Sequence, residues 1–73
     1  MAKKSTESVY KIVEVIGTST SSWEEAAKNA VAMASKSLRD LRIAEVVKQD
    51  MAIEKGKVVA YRTRMLLSFK YES

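Results

Sequence analysis

The stretch Val15-Ile16-Gly17-Thr18-Ser19, followed by Ser22-Trp23-Glu24-Glu25-Ala26-Ala27, decides how this chain folds. It predicts an apolar strand that passes through a glycine turn into a capped helix. Ser22 precedes Glu25 by three residues, which is the spacing of a capping box: the serine oxygen accepts from a helix N–H and the glutamate reaches back to the cap. Since the chain has only two glycines and no proline, we expect the backbone to require a glycine at Gly17.

On either side of this stretch, the hydropathy pattern predicts four elements in the order β-α-β-β. Residues 9–17 are rich in valine and isoleucine and predict a strand, whereas residues 23–39 carry apolar side chains at helical spacing. Residues 43–53 and 57–71 alternate and predict two more strands, joined by a hairpin turn at Gly56. The fold class is α+β, a three-stranded antiparallel sheet packed on one helix. Simple alternation puts four apolar residues of the second strand on one face: Ile43, Val47, Met51 and Ile53.

The length of the chain limits its core. A chain of 73 residues forms one domain with a small core, which usually needs a disulfide, a metal or a partner subunit for stability. There is no cysteine and no histidine, which excludes disulfides and the commonest ligands of transition metals. The first predicted strand is apolar on both faces, and one helix covers only one of them. We therefore expect the chain to associate with copies of itself.

The N-terminal residues 1–8 contain two lysines and no apolar stretch. They predict a disordered tail rather than a signal peptide, and residues 9–73 then form the single domain. No segment approaches the roughly 20 apolar residues that span a bilayer, so we expect a cytoplasmic protein with no membrane partner. The net charge of +4 indicates either a solvated basic surface or a surface that attracts anionic ligands.

The order, spacing and length of these segments resemble those of the dodecins, small β-α-β-β proteins that assemble into hollow homododecamers and typically bind flavins. The resemblance covers nearly the whole chain, from about Val9 to Tyr71, and implies a homododecameric shell built from trimers. It rests on the helix alanines, on Tyr61 and on four short stretches: Val9-Tyr10-Lys11, Gly17-Thr18-Ser19, Ala44-Glu45-Val46 and Ser68-Phe69-Lys70.

Two positions depart from the flavin-binding members of that family. Those members carry a stacking tryptophan where this chain has Ile43, and a glutamine that binds the flavin ring where it has Arg62. An aliphatic side chain cannot stack, and arginine has donors but no acceptor. The only tryptophan, Trp23, opens the helix, where we expect a hydrophobic anchor. The chain thus resembles the dodecin-like subgroup that lacks the flavin tryptophan and includes calcium dodecins. We expect flavin binding to be weakened or lost; flavin binding by a modified pocket is the alternative.

The charged residues indicate two other candidate ligands. Arginine forks match phosphate oxygens, so Arg62 and Arg64 make a phosphorylated cofactor one candidate. The family pocket region to which they belong consists of four residues: Ile43, Glu45, Arg62 and Arg64. The alternative for these arginines is ion pairing between subunits, with Glu45 or Glu14.

Calcium is the second candidate, and it needs roughly six to eight oxygen ligands. Glu14 and Asp50 are the candidate metal ligands. Together with Glu45, they lie on predicted strands where symmetry-related copies could bring them together. No EF-hand spacing is present in the sequence. A metal site would therefore be created by assembly rather than by a local motif.

The function that these observations predict is a non-catalytic shell that binds or stores a small ligand or an ion. The sequence has no histidine or cysteine, no carboxylates at the spacing of a catalytic pair and no phosphate-cradling glycine loop, so we expect no enzymatic activity. Its basic residues are dispersed and match no nucleic-acid-binding motif, so we expect no nucleic-acid partner. The alternative is a structural or partner-binding homo-oligomeric adaptor with no small ligand.

Overall fold

A computed structural model describes residues 8–70 and has the predicted β-α-β-β order. The three strands form one antiparallel sheet in the order β1-β3-β2, so β3 is central. The α+β class is confirmed. The predicted tail over residues 1–8 falls outside the described residues except for Ser8, as does Tyr71 at the end of the last predicted strand. The elements are β1 (Tyr10–Ser19), α1 (Trp23–Ala34), β2 (Leu41–Glu54) and β3 (Lys57–Lys70).

One face of the sheet packs against α1, and the small core lies between them. Met65 and Leu67 of β3 are buried there with Ala26 and Ala30 of α1, and they are the only buried hydrophobic residues of the described chain. Thr63, also fully buried, continues the same face of β3. The small alanine side chains let the helix lie close to the sheet. A core of this size agrees with the expectation that stability depends on self-association.

The start of α1 is fixed by the residues that the sequence singled out. Ser22 is the N-cap, and its Oγ accepts a hydrogen bond from the Glu25 N–H at 3.1 Å. Trp23, the first helical residue, packs edge-on against Tyr61 with the ring centroids 5.0 Å apart. Its carbonyl oxygen accepts from Thr63 Oγ1 at 2.9 Å. The serine half of the capping box and the anchoring role of Trp23 are both confirmed.

The Ser22→Ala substitution is expected to lower the free energy of unfolding by about 0.5–2 kcal/mol, because it removes the acceptor for the Glu25 N–H. The measurement is the chemical-denaturant midpoint at fixed protein concentration. Ser21→Ala is the matched control, since Ser21 is the neighbouring serine but does not cap the helix. Equal midpoints for Ser22→Ala and the unsubstituted chain would show that the cap contributes nothing.

Gly17 lies inside β1 rather than in a turn, so the predicted glycine turn is wrong. The strand continues to Ser19, and the bend follows at residues 20–21. A Cβ atom at Gly17 would overlap the backbone carbonyl oxygen of Ala26 and would lie 2.9 Å from Ala30 Cβ. A glycine is therefore required because the helix backbone packs directly on the strand at this point.

The helix is shorter than the predicted 23–39, because it ends at Ala34. Ser35 follows as the C-cap, and its Oγ donates to the Ala32 carbonyl oxygen at 3.0 Å, a local bond of the kind that competes with helix continuation. Leu41, which continued the helical spacing in the sequence, instead begins β2 opposite Phe69. No helix within residues 8–70 has the length and apolar character needed to cross a membrane.

Strand β2 is irregular, and this changes which face its side chains occupy. Its pairing with β3 shifts between Leu41 and Ile43 and again between Val46 and Lys48. Each shift inserts an unpaired residue and thereby reverses the alternation. Ile43 consequently lies opposite Ser68, whereas Met51 lies opposite Tyr61. The two are on opposite faces, and the prediction that they share one face is wrong.

The turn between β2 and β3 is a two-residue hairpin, as predicted at Gly56. Lys55 and Gly56 both have positive φ, 53° and 77°, between the paired residues Glu54 and Lys57. Positive φ at both central positions is the requirement of a type I′ turn, whose twist matches that of the flanking strands.

Candidate functional site

The sheet has a second face, turned away from α1, which we call the open face. Since Thr63, Met65 and Leu67 point into the core, the intervening Arg62 and Arg64 point to the open face. Residues that pair with the open-face positions of β3 point to the same side of the sheet. Every site residue predicted from the sequence therefore lies on the open face. They are Glu14 on β1, Ile43, Glu45 and Asp50 on β2, and Arg62 and Arg64 on β3.

The open face is divided along its length into an apolar end and a charged end. At the end remote from the hairpin turn, Ile12 and Ile43 flank Ser68 and are 61% and 65% exposed. Ile43, which stands where flavin-binding dodecins carry a stacking tryptophan, thus offers an exposed aliphatic surface with no aromatic ring. Toward the turn, Asp50 faces Arg62, and Lys48 faces Arg64.

Asp50 and Arg62 form the tightest polar contact of the open face. Arg62 Nε donates to Asp50 Oδ1 at 2.7 Å and Arg62 Nη2 donates to Asp50 Oδ2 at 2.8 Å, a bidentate pair with both side chains about two-fifths exposed. The hydrogen bonds from Arg62 lower the pKa of Asp50, and Asp50 in turn raises the pKa of Arg62. The fork of Arg62 is therefore already occupied within the chain.

The Asp50 backbone is held as well. Trp23 Nε1–H donates to the Asp50 carbonyl oxygen at 2.9 Å. The first residue of α1 therefore fixes the segment of β2 that carries the Asp50 carboxylate. Because the indole also lies against Tyr61, Trp23 contacts both β2 and β3 next to the Asp50–Arg62 ion pair.

Acidification is expected to remove the stability that the Asp50–Arg62 pair contributes to the fold. Because folding lowers the pKa of Asp50, the contribution of its carboxylate to the stability of the fold is fully present above the unfolded pKa of about 3.9. That contribution is lost as the pH falls through the lower pKa of the folded state. Between about pH 6 and about pH 3, the denaturant midpoint of Asp50→Asn should fall less than that of the unsubstituted chain. Asp40→Asn is the control, since Asp40 is exposed and has no ion pair within residues 8–70. An equal fall for Asp50→Asn and the unsubstituted chain would contradict the role assigned to this pair.

The remaining carboxylates of the open face lie in one row across the sheet. Glu14 and Glu45 lie opposite Leu66 from its two sides. Glu14 Oε2 is 3.6 Å from Arg64 Nη1, a loose pair between half-exposed groups, whereas Glu45 has no ion pair within the described chain. Arg64 therefore pairs with Glu14, one of the two partners expected for it, within one chain. Among residues 8–70, no three acidic side chains come close enough together to hold a metal ion.

Sequence reasoning missed that Asp50 and Arg62 are partners. Counting outward from the Lys55-Gly56 turn pairs Asp50 with Tyr61, but a register shift in β3, after Val58, moves the partner by one residue. No residue type marks that shift in the sequence. The bond from Trp23 to Asp50 was also missed, because it joins groups 27 residues apart.

Comparison with known proteins agrees with the fold. The dodecin family model matches residues 9–72. The calcium dodecin of Mycobacterium tuberculosis is 48% identical over 63 residues, which cover 86% of this chain and 89% of that protein. The crystal structure of calcium dodecin from the same organism superposes with a TM-score of 0.80, covering 89% of this chain and 93% of that one at 48% identity. Dodecin from Streptomyces coelicolor superposes with a TM-score of 0.89 at 35% identity, covering 94% of this chain and 99% of that one. The chain belongs to the dodecin family.

Proposed function

We propose that this chain is the subunit of a non-catalytic, cytoplasmic dodecameric shell that binds calcium through open-face carboxylates contributed by more than one copy. The observation that carries the proposal is the row formed by Glu14 and Glu45 on either side of Leu66. Glu45 has no cationic partner within residues 8–70, so an exposed carboxylate is available on each subunit. The M. tuberculosis relative named calcium dodecin supports calcium as the ion.

Assembly completes the site in this proposal. Calcium takes roughly six to eight oxygen ligands, and two monodentate or bidentate carboxylates supply only part of that number. Symmetry-related copies of Glu14 and Glu45, with water, supply the rest. Asp50, the other metal ligand predicted from the sequence, has both oxygens engaged by Arg62, so in the proposal it contributes charge near the site.

The same face argues against flavin as the ligand. Ile43 provides no π surface for stacking on an isoalloxazine ring. Arg62 is held by Asp50 in a bidentate pair, and moving it toward a ligand would break two short charge-assisted hydrogen bonds. We therefore propose that flavin binds weakly.

A phosphorylated small molecule is the second candidate ligand, favoured by one specific observation. Lys48 lies directly opposite Arg64 on the open face, and like charges facing each other across a strand pair are destabilising. The loose contact of Arg64 with Glu14 and the electrostatic interaction of Asp50 with both cations offset part of this repulsion. An anion bound between Lys48 and Arg64 would relieve it.

Isothermal titration of the chelator-treated assembly with calcium tests the proposal. We expect binding by the unsubstituted protein and at least a roughly tenfold weaker affinity for Glu45→Gln, because each substitution removes a carboxylate ligand from every copy. Asp40→Asn, the control carboxylate outside the row, should bind as the unsubstituted chain does. Binding that Glu45→Gln leaves unchanged would contradict the assignment of the row.

Pyrophosphate in the same titration tests the second candidate, with Lys48→Gln as the variant. Binding of pyrophosphate without binding of calcium would favour the Lys48–Arg64 pair as the ligand site. No heat with either ligand would favour the adaptor function, in which the assembly binds no small ligand.

A further inference from the structure

An apolar groove lies between α1 and β2, on the core side of the sheet. The helix packs mainly on β1 and β3, so the adjoining part of β2 has no helix above it. The groove has a volume of about 380 Å³ and is lined by Ala27 and Val31 of α1 and by Ala44 and Val46 of β2. Val46 is half exposed, and Lys28 supplies a charge at the rim. An uncovered apolar groove of this kind marks an interaction site.

A second apolar surface lies at the opposite end of β2. The β2–β3 hairpin extends past the end of β1, since Ser19 at the end of β1 pairs with Tyr61. Residues 51–60 therefore form a projecting segment, which we call the arm, and the described chain is elongated, 58 Å by 20 Å by 16 Å. Besides Val59, which lies at the register shift, three large apolar side chains are exposed on it: Met51, Ile53 and Val58. They continue the core-side face of the sheet beyond Trp23, where α1 begins.

The arm and the groove of one chain cannot meet. Val46 in the groove and Ile53 on the arm belong to the same continuous strand, and seven residues of strand separate them by about 23 Å. Two sites on one paired strand cannot fold onto each other without breaking the ladder with β3. The two surfaces of one chain therefore cannot cover each other, and both are open to contact with another molecule.

The chemistry of the two surfaces is complementary. Aliphatic side chains of the arm match the aliphatic lining of the groove. Glu54 at the end of the arm has no ion pair within residues 8–70, while Lys28 at the groove rim has only an exposed contact with Glu24 at 3.8 Å. A carboxylate next to the apolar arm and an ammonium next to the apolar groove suit each other when the arm enters the groove.

We propose that the arm of one copy fills the α1–β2 groove of a second copy. In this contact, Ile53 and Val58 pack against Val31 and Val46, and Glu54 approaches Lys28. The contact joins two different surfaces, so it passes from one copy to the next and closes a ring or an exchanged pair. It does not depend on which ligand the open face binds. Because the arm begins directly after Asp50, the contact also anchors the strand segment that holds Arg62.

Disulfide cross-linking tests the contact directly, because the chain has no cysteine of its own. The double variant Ile53→Cys/Ala32→Cys places one thiol on the arm and one on an exposed wall of the groove. After mild oxidation of the intact assembly, we expect disulfide-linked dimers or larger species on a denaturing, non-reducing gel. Each single-cysteine variant should migrate as one chain on the same gel. Ile53→Cys/Lys36→Cys is the control, since Lys36 is exposed and does not line the groove, and it should give no ladder. An intact assembly that forms no ladder, or that forms the same ladder in the control, would overturn the proposal.

Exchanging the charges at positions 28 and 54 is a second test of the contact, which applies even if the cysteine variants do not assemble. Lys28→Glu and Glu54→Lys should each raise the protein concentration at which the assembly dissociates, by roughly two- to fivefold, since each puts like charges together. The double variant Lys28→Glu/Glu54→Lys should restore the original value. Single variants without effect, or a double variant that is additively worse, would overturn the proposal.

Discussion

Replacing Gly17 by alanine is expected to lower the free energy of unfolding by about 3 kcal/mol or more, at the upper end of the range for overpacked sites. The added Cβ would overlap the backbone carbonyl oxygen of Ala26 and crowd Ala30 Cβ. A backbone oxygen cannot rotate away as a side chain can, so α1 must lift from β1. Because the core between them contains few buried side chains, little apolar packing is left to offset that displacement.

The denaturant midpoint at fixed protein concentration measures this effect, with Gly56→Ala as the matched control. Gly56 has a φ of 77° and open space around its Cβ position, so alanine there carries only the left-handed backbone penalty of about 1–2 kcal/mol. We expect Gly17→Ala to be clearly the more destabilising of the two. A Gly17→Ala protein as stable as Gly56→Ala would contradict the close packing of α1 on β1.

The double substitution Ile43→Trp/Arg62→Gln is expected to raise the affinity for riboflavin by roughly tenfold or more. The indole adds stacking of about 0.5–1.5 kcal/mol for each aromatic contact, and about 1.4 kcal/mol corresponds to tenfold. The glutamine amide offers both a donor and an acceptor, which arginine does not. Quenching of riboflavin fluorescence measures the affinity, and the unsubstituted protein should leave it nearly unquenched at micromolar concentration.

Ile43→Leu/Arg62→Gln is the matched control, because it frees Asp50 from Arg62 without adding an aromatic ring. It should bind riboflavin no better than the unsubstituted chain. Tight quenching by the unsubstituted chain would show that an aliphatic pocket still binds flavin. An Ile43→Trp/Arg62→Gln protein with no gain would show that the rest of the pocket has been remodelled.

Local signals in the sequence predicted the features whose physics is local. The Ser22 cap and the turn at Gly56 each depend on a few adjacent residues, and both form as expected. The end of α1 was misplaced because Leu38 and Leu41 continue the helical spacing, while the local bond from Ser35 to Ala32 ends the helix sooner. Hydropathy alone does not show that competition.

Long-range packing decided the features that the sequence did not reveal. Gly17 is required because β1 and α1 are in contact there. Its neighbours in the chain are those typical of a turn glycine, so the sequence alone favoured a turn. The composition of the open face was predictable, because strand alternation puts residues such as Glu14 and Arg64 on one side. The ion-pair partners within it were not, because the register shift in β3 after Val58 makes Arg62, rather than Tyr61, the partner of Asp50.

Native mass spectrometry of the intact assembly, with calcium, with chelator and with riboflavin, tests the central claim most directly. We predict a mass of twelve chains of 8.2 kDa that rises in steps of calcium, returns to the bare value with chelator and does not shift with riboflavin. The same spectra of Glu45→Gln should keep the twelve-chain mass and lose the calcium steps. A stable monomer, or a twelve-chain mass that calcium leaves unchanged, would contradict a calcium-binding shell.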